Sequence, residues 1–106
     1  MSGIRFNDGK CDPRGRFWVG TMVEQGPAGG GVLYCVEPDL TVSVKLRGLG
    51  ISNGLVWHGT AFYHIDTPSK LVRRFDYDPL SGGIAQPAKI VLATSLFGIE
   101  AQYHGK

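Results

Sequence analysis

Apolar and polar side chains alternate in short runs along this chain. The clearest is Leu40-Thr41-Val42-Ser43-Val44-Lys45-Leu46, apolar at every second position. A period of two predicts a half-buried β-strand, because successive side chains point to opposite faces of a sheet. Runs rich in β-branched and aromatic residues predict further strands over 16–22, 32–37, 61–67, 71–77 and 89–93. Weaker strands are predicted at 10–12 and 55–58. No segment carries a helical period long enough for a helix, so the expected class is all-β.

Sixteen glycines and six prolines punctuate the 106 residues. Asn7-Asp8-Gly9 and Asn53-Gly54 read as tight turns whose residues tolerate positive φ. Asp12-Pro13-Arg14-Gly15 reads as a turn before a strand, and 78–83 as a longer hairpin loop. The stretch Gly26-Pro27-Ala28-Gly29-Gly30-Gly31 reads as an inter-strand loop. It lacks the Lys-Ser/Thr ending and the following helix of a phosphate cradle.

The chain also repeats itself. Asn7 through Gly20 and Asn53 through Asp66 share a plan, with the two Asn residues 46 positions apart. Each unit holds about four predicted strands, the signature of a β-propeller blade. The expectation is a single partial propeller domain over 1–106, made of two four-stranded antiparallel blades. The blade units span 5–47 and 51–93, followed by a divergent tail at 94–106. Closed propellers take about 4–8 blades, so two would leave outer sheet faces uncovered. That implies a homo-oligomer, or complementing propeller segments that finish the ring.

Composition narrows the classes further. A chain of this size buries about 60–65% of its unfolded surface. Net charge is +2 and the basic residues are scattered, Arg73-Arg74 being the one adjacent pair. No nucleic-acid partner is expected without a clustered basic face. No apolar run is long enough to span a membrane, and the first residues lack the apolar core of a secretory signal. Cys11 and Cys35 are expected as buried free thiols, since their spacing fits no metal knuckle. Together these features predict a cytoplasmic protein. His58 and His64 are expected as surface or satisfied core histidines. Trp18, Trp57, Phe62, Tyr63 and Phe75 are expected to pack within and between blades.

The ordered motifs carry more. The segment Arg5-Phe6-Asn7-Asp8-Gly9-Lys10-Cys11-Asp12, continuing through Gly15-Arg16-Phe17-Trp18-Val19-Gly20-Thr21-Met22, resembles the R-x-N-D-G-K-x-D-x-x-G-R-x-W/F-x-G-T-M stretch of the SMP-30/gluconolactonase/regucalcin-like family. Ile51-Ser52-Asn53-Gly54-Leu55 resembles its I-S-N-G-L motif. Phe62–Thr67 and Val72–Asp78 resemble its F-Y-x-x-D-T/S and V-x-x-F-D-Y-D runs. The resemblance covers residues 4–92.

That resemblance implies a six-bladed propeller with a divalent cation at its axis and hydrolysis of a sugar lactone, a carboxylic ester. It implies Asn53 as a metal ligand and Arg5 and Asn7 as substrate-binding residues. An amide oxygen is a hard donor that suits Ca²⁺ or Mg²⁺ and is acceptable to Zn²⁺ or Mn²⁺. Arg5 supplies a donor fork for carbonyl or hydroxyl oxygens. The sequence departs from the pattern in three places. The family's first-blade Glu ligand lies upstream of this chain's motifs. The Asp of a later P-D-G motif, both ligand and expected general base, is absent, so the catalytic residue is unknown. Gln25 stands where the family often has a second acidic residue. One neutral ligand of three would hold a cation weakly. Two readings stay open: a lactonase that needs assembly or missing blades, and a truncated, non-catalytic fragment acting as a structural, self-associating module.

Overall fold

The computed structural model describes residues 4–23, 29–69, 71–86 and 88–92. Eight strands form two four-stranded antiparallel sheets. The first sheet runs in the order β1 (Ile4–Cys11), β2 (Phe17–Val23), β3 (Gly31–Val36) and β4 (Val42–Leu49). The second runs β5 (Ser52–His58), β6 (Ala61–Asp66), β7 (Leu71–Asp76) and β8 (Lys89–Leu92), with a 3-10 turn at Thr67–Ser69 after β6. Each sheet is a simple meander, so every hydrogen-bonded neighbour is also a sequence neighbour.

The core lies between the sheets. Trp18, Leu33, Cys35, Leu46 and Leu49 from the first meet Leu55, Phe62, Phe75 and Tyr77 from the second. The Trp18 ring packs 5.1 Å from Phe62 and 5.4 Å from Trp57, in tilted and edge-on geometry. Fully burying each large aromatic contributes about 1.5–3 kcal/mol. These contacts therefore weld the two sheets into one body.

A second weld is polar. The Asp12 carboxylate is buried and accepts five hydrogen bonds. Oδ1 takes them from the backbone N–H of Arg14 (2.9 Å) and of Arg16 (3.0 Å). Oδ2 takes them from Arg16 Nη1 (3.2 Å), Trp18 Nε1 (3.0 Å) and Tyr77 Oη (2.9 Å). Burial alone would raise the Asp12 pKa, but the hydrogen bonds from Arg16, Trp18, Tyr77 and Arg14 outweigh it and hold it below the usual carboxylate value. Arg16 extends the knot to Glu37 Oε1 (3.2 Å) and to the carbonyls of Pro79 (3.1 Å) and Leu80 (2.5 Å). The 78–83 loop of the second blade is thereby clamped onto the first. Gly82 fits this clamp because its φ is 77° and a Cβ would stand 2.8 Å from Arg16 Nε.

Three sequence expectations are corrected. Asn7-Asp8-Gly9 and Asn53-Gly54 are not turns. They lie inside β1 and β5, at register shifts between Phe6 and Gly9 and between Ser52 and Gly54. Neither Gly9 nor Gly54 has positive φ; a Cβ there would meet the side chains of Phe17 and Ile65 at 2.7 and 2.8 Å. Glycine serves close packing at these bulges. Cys11 is exposed rather than buried, because β1 is an edge strand and Cys11 pairs with the exposed Phe17. Leu40 belongs to a turn with φ 73°, and β4 begins at Val42. The predicted tail at 94–106, Glu24-Gln25, and residues 26–28 of the predicted loop lie outside the described residues.

Candidate functional site

Two β-bulges, one on each sheet's first strand, build the site. A bulge inserts an extra residue opposite a single partner and re-aims side chains locally. In β1 the bulge falls at Asn7-Asp8, and in β5 at Asn53. β1 and β5 are the first strands of the two sheets and pack against each other. Asn7 Nδ2 donates to the Ser52 carbonyl at 2.7 Å, across 45 positions of sequence. That carbonyl belongs to the peptide immediately before Asn53, so the two bulges are drawn together. Arg5 pairs with Met22, and Met22 in turn bridges Ile51, which sets Arg5 at the same end of the sheets. Arg5 and Asn7 are exposed, while Asn53 is half-buried.

The segment 50–53 is held from one side by residues 64–67. Asp66 Oδ1 accepts from the backbone N–H of Gly50 (3.1 Å) and Ile51 (2.9 Å), and Asp66 Oδ2 from Gly50 (3.2 Å). The Thr67 N–H donates to the Ile51 carbonyl at 3.2 Å. The Thr67 hydroxyl accepts from Asn53 Nδ2 at 3.1 Å. Ser52 Oγ and His64 Nε2, both fully buried, share a hydrogen bond of 2.8 Å. Gly20 of β2 lies so close that any Cβ there would run into the Ser52 side chain. The bulge that presents Asn53 is therefore fixed through its backbone and three side chains.

Burial pulls the His64 pKa down to about 4; Asp66 partly counters this and Arg73 adds to it. The ring is neutral at pH 7. It is a core histidine, as expected, but only half satisfied, since Nδ1 has no partner among the described residues. His58 is exposed at the end of β5.

The motif reading named Arg5, Asn7 and Asn53. It missed the supporting residues Ser52, His64, Asp66 and Thr67. Asp66 and Thr67 stood in plain view inside the F-Y-x-x-D-T run, but spacing alone gives no sign that a carboxylate at a strand end will cap backbone N–H groups fifteen residues upstream.

The donor set does not make a cation site by itself. Among the described residues no three His, Cys, Asp or Glu side chains cluster to hold a metal. Asn53 is a neutral amide, and the nearby Asp66 carboxylate is committed to the Gly50 and Ile51 N–H groups. Among the described residues, no helix is long and apolar enough to cross a membrane.

Comparison with known proteins agrees with this geometry. Residues 1–96 match the family described as SMP-30/Gluconolactonase/LRE-like region. The chain is 40% identical over 90 residues to the putative sugar lactone lactonase YvrE of Bacillus subtilis, covering 82% of this chain and 30% of that protein. It is 46% identical over 88 residues to human regucalcin, covering 76% of this chain and 29% of the relative. Among solved structures, a luciferin-regenerating enzyme superposes with a TM-score of 0.78 at 33% identity, covering 86% of this chain and 31% of that one. A calcium-binding regucalcin from Agrobacterium tumefaciens gives a TM-score of 0.77 at 29% identity, covering 85% and 31%. The chain thus spans about 30% of the length of the relatives it matches. Two meander sheets, bulged at matching Asn positions and matched across nearly the whole chain, leave one assignment: this chain belongs to the SMP-30/gluconolactonase/regucalcin-like family of β-propeller proteins.

Proposed function

We propose that this chain supplies two blades, units 5–47 and 51–93 of one partial propeller domain, to a metal-dependent hydrolase of sugar lactones. Activity in this reading requires blades that the chain does not contain. Asn53 contributes one neutral ligand to a divalent cation, Ca²⁺, Zn²⁺, Mn²⁺ or Mg²⁺. Arg5 and Asn7 bind the lactone. The observation that carries the reading is the Asn7–Ser52 hydrogen bond, which sets a substrate-binding candidate beside the peptide of a metal-binding candidate. Arg5 offers a planar fork of N–H donors to the lactone carbonyl or ring hydroxyls. The Asn7 amide, anchored through Nδ2, keeps a fixed orientation. No group of this chain is assigned as general base, and a cytoplasmic location belongs to the proposal.

The test is lactone hydrolysis with and without Ca²⁺, Zn²⁺, Mn²⁺ or Mg²⁺. Metal-dependent turnover that falls at least tenfold in Asn53→Ala supports the reading. A rate unchanged by Asn53→Ala, or folded protein without activity even after the missing blades are supplied, refutes it.

The uncovered front of the first sheet favours a second reading. Phe6, 67% exposed, and Val42, 58% exposed, belong to an apolar face that monomers rarely leave open. In that reading the chain is a self-associating structural module without catalysis of its own.

A further inference from the structure

We infer that the open face of β1–β4 is a docking surface for a second copy of this chain. The second copy meets it with the far face of its own β5–β8, and three copies joined head to tail close a six-bladed ring. This deepens the self-association reading above. The face forms a groove of about 530 Å³, polar at Arg5 and Thr21 and otherwise mainly apolar or aromatic, through Ile4, Phe6, Val19, Tyr34, Val36 and Val42. Of these, Ile4, Phe6 and Val42 are large apolar side chains left exposed.

The repeat identifies the occupant. In the first sheet Gly9 pairs with Val19, Lys10 with Trp18 and Cys11 with Phe17. In the second Leu55 pairs with His64, Val56 with Tyr63 and Trp57 with Phe62. Counted from the equivalent Asn7 and Asn53, these registers superpose pair by pair. The next strands continue the match: Phe17 pairs with Val36 and Phe62 with Phe75, while Gly20 pairs with Leu33 and Ile65 with Val72. Trp18 is thus the counterpart of Tyr63, and Phe17 of Phe62.

Within the chain, the Phe62/Phe75 face of the second sheet is covered by the Trp18/Leu33 face of the first. The counterpart of the covered Phe62/Phe75 face is the Phe17/Val36 face, which is open. The counterpart of the covering Trp18/Leu33 face is the far face of the second sheet, where Tyr63 and Val72 are half-buried. One chain therefore carries both halves of the same joint, one at each end. A joint between unlike faces is heterologous, and it closes into a ring when its rotation divides the circle. Two sheets account for 31% of the solved propeller chains, so a full circle holds about six sheets and three copies.

Sedimentation equilibrium or light scattering on the full chain tests this without substrate or metal, so its outcome is independent of the lactonase reading. The expected mass is three times the 11.5 kDa chain. Phe6→Glu on the front face and Tyr63→Glu on the far face should each break the ring. Mixed together, they should give a dimer through the one joint that both variants leave intact. A folded wild-type monomer overturns the inference. So does a dimer that Phe6→Glu abolishes and Tyr63→Glu leaves unchanged, since that marks two front faces meeting each other.

Discussion

Replacing Asp12 by Ala removes one carboxylate from the joint between the blades. Five donors lose their acceptor: two backbone N–H groups, the Arg16 guanidinium, the Trp18 indole N–H and the Tyr77 hydroxyl. Trp18 is fully buried and Tyr77 is 3% exposed, so neither can turn to water. A buried donor left without a partner costs about 1–3 kcal/mol. Arg16 keeps Glu37 and two carbonyls, which softens the loss of its carboxylate. Breaking a buried ion pair from one side costs about 3–5 kcal/mol, and that is the expected total here. Against a domain stability of about 5–15 kcal/mol, this is a large share. Urea unfolding followed by tryptophan fluorescence should show a midpoint lower by about 2 M for a typical slope. Asp12→Asn should fall between, because an amide accepts fewer of the five bonds. Combining Asp12→Ala with Tyr77→Phe should cost less than the sum of the two, since they share a bond across the sheets. A loss below about 1 kcal/mol for Asp12→Ala would show that this knot does not hold the blades together.

Four other outcomes follow from the same geometry. His64 has a folded pKa of about 4, below its ordinary 6.5, so the unfolded chain binds its proton first; stability is complete above pH 6.5 and falls by about 3 kcal/mol as pH drops to 4, and His64→Asn should remove that slope in acid titrations. Burial raises the Cys35 thiol to about 11, with Lys45 partly opposing, so a thiol reagent at pH 8 should label the exposed Cys11 and leave Cys35 until the protein unfolds. Leu40 holds φ 73° in an exposed turn, so Leu40→Gly should raise the thermal midpoint by relieving about 1 kcal/mol of backbone strain. Gly20→Ala should destabilise by about 1–3 kcal/mol, read by urea unfolding, because its Cβ runs into Ser52.

The strands were legible in the sequence because their signal is local. Period-two alternation and β-branched runs placed β2, β3, β6, β7 and β8 within a residue or two of their observed bounds. The two first strands were half hidden. Asn-Gly and Asn-Asp-Gly carry the chemistry of turns, and only the packing of Phe17 and Ile65 against Gly9 and Gly54 makes them bulges within strands. The alternation at Val42 and Val44 gave the strand but not its burial, since both side chains stand on the open face of the first sheet, 58% and 40% exposed. Motif order pointed to Arg5, Asn7 and Asn53. Nothing local could reveal that Asp66 caps Gly50 and Ile51, or that Asp12 gathers Trp18 and Tyr77 from two blades, because those contacts bridge up to 65 positions.

The lactonase account stands or falls on complementation. This chain would be mixed with the remaining blades of a lactonase relative from which the matching two-blade region has been removed, and lactone hydrolysis followed with added Ca²⁺, Zn²⁺ or Mn²⁺. The account predicts turnover only when both parts and a divalent cation are present, with a loss of at least tenfold for Asn53→Ala. A reconstituted complex that forms but hydrolyses no lactone, or one whose rate ignores Asn53→Ala, would contradict it.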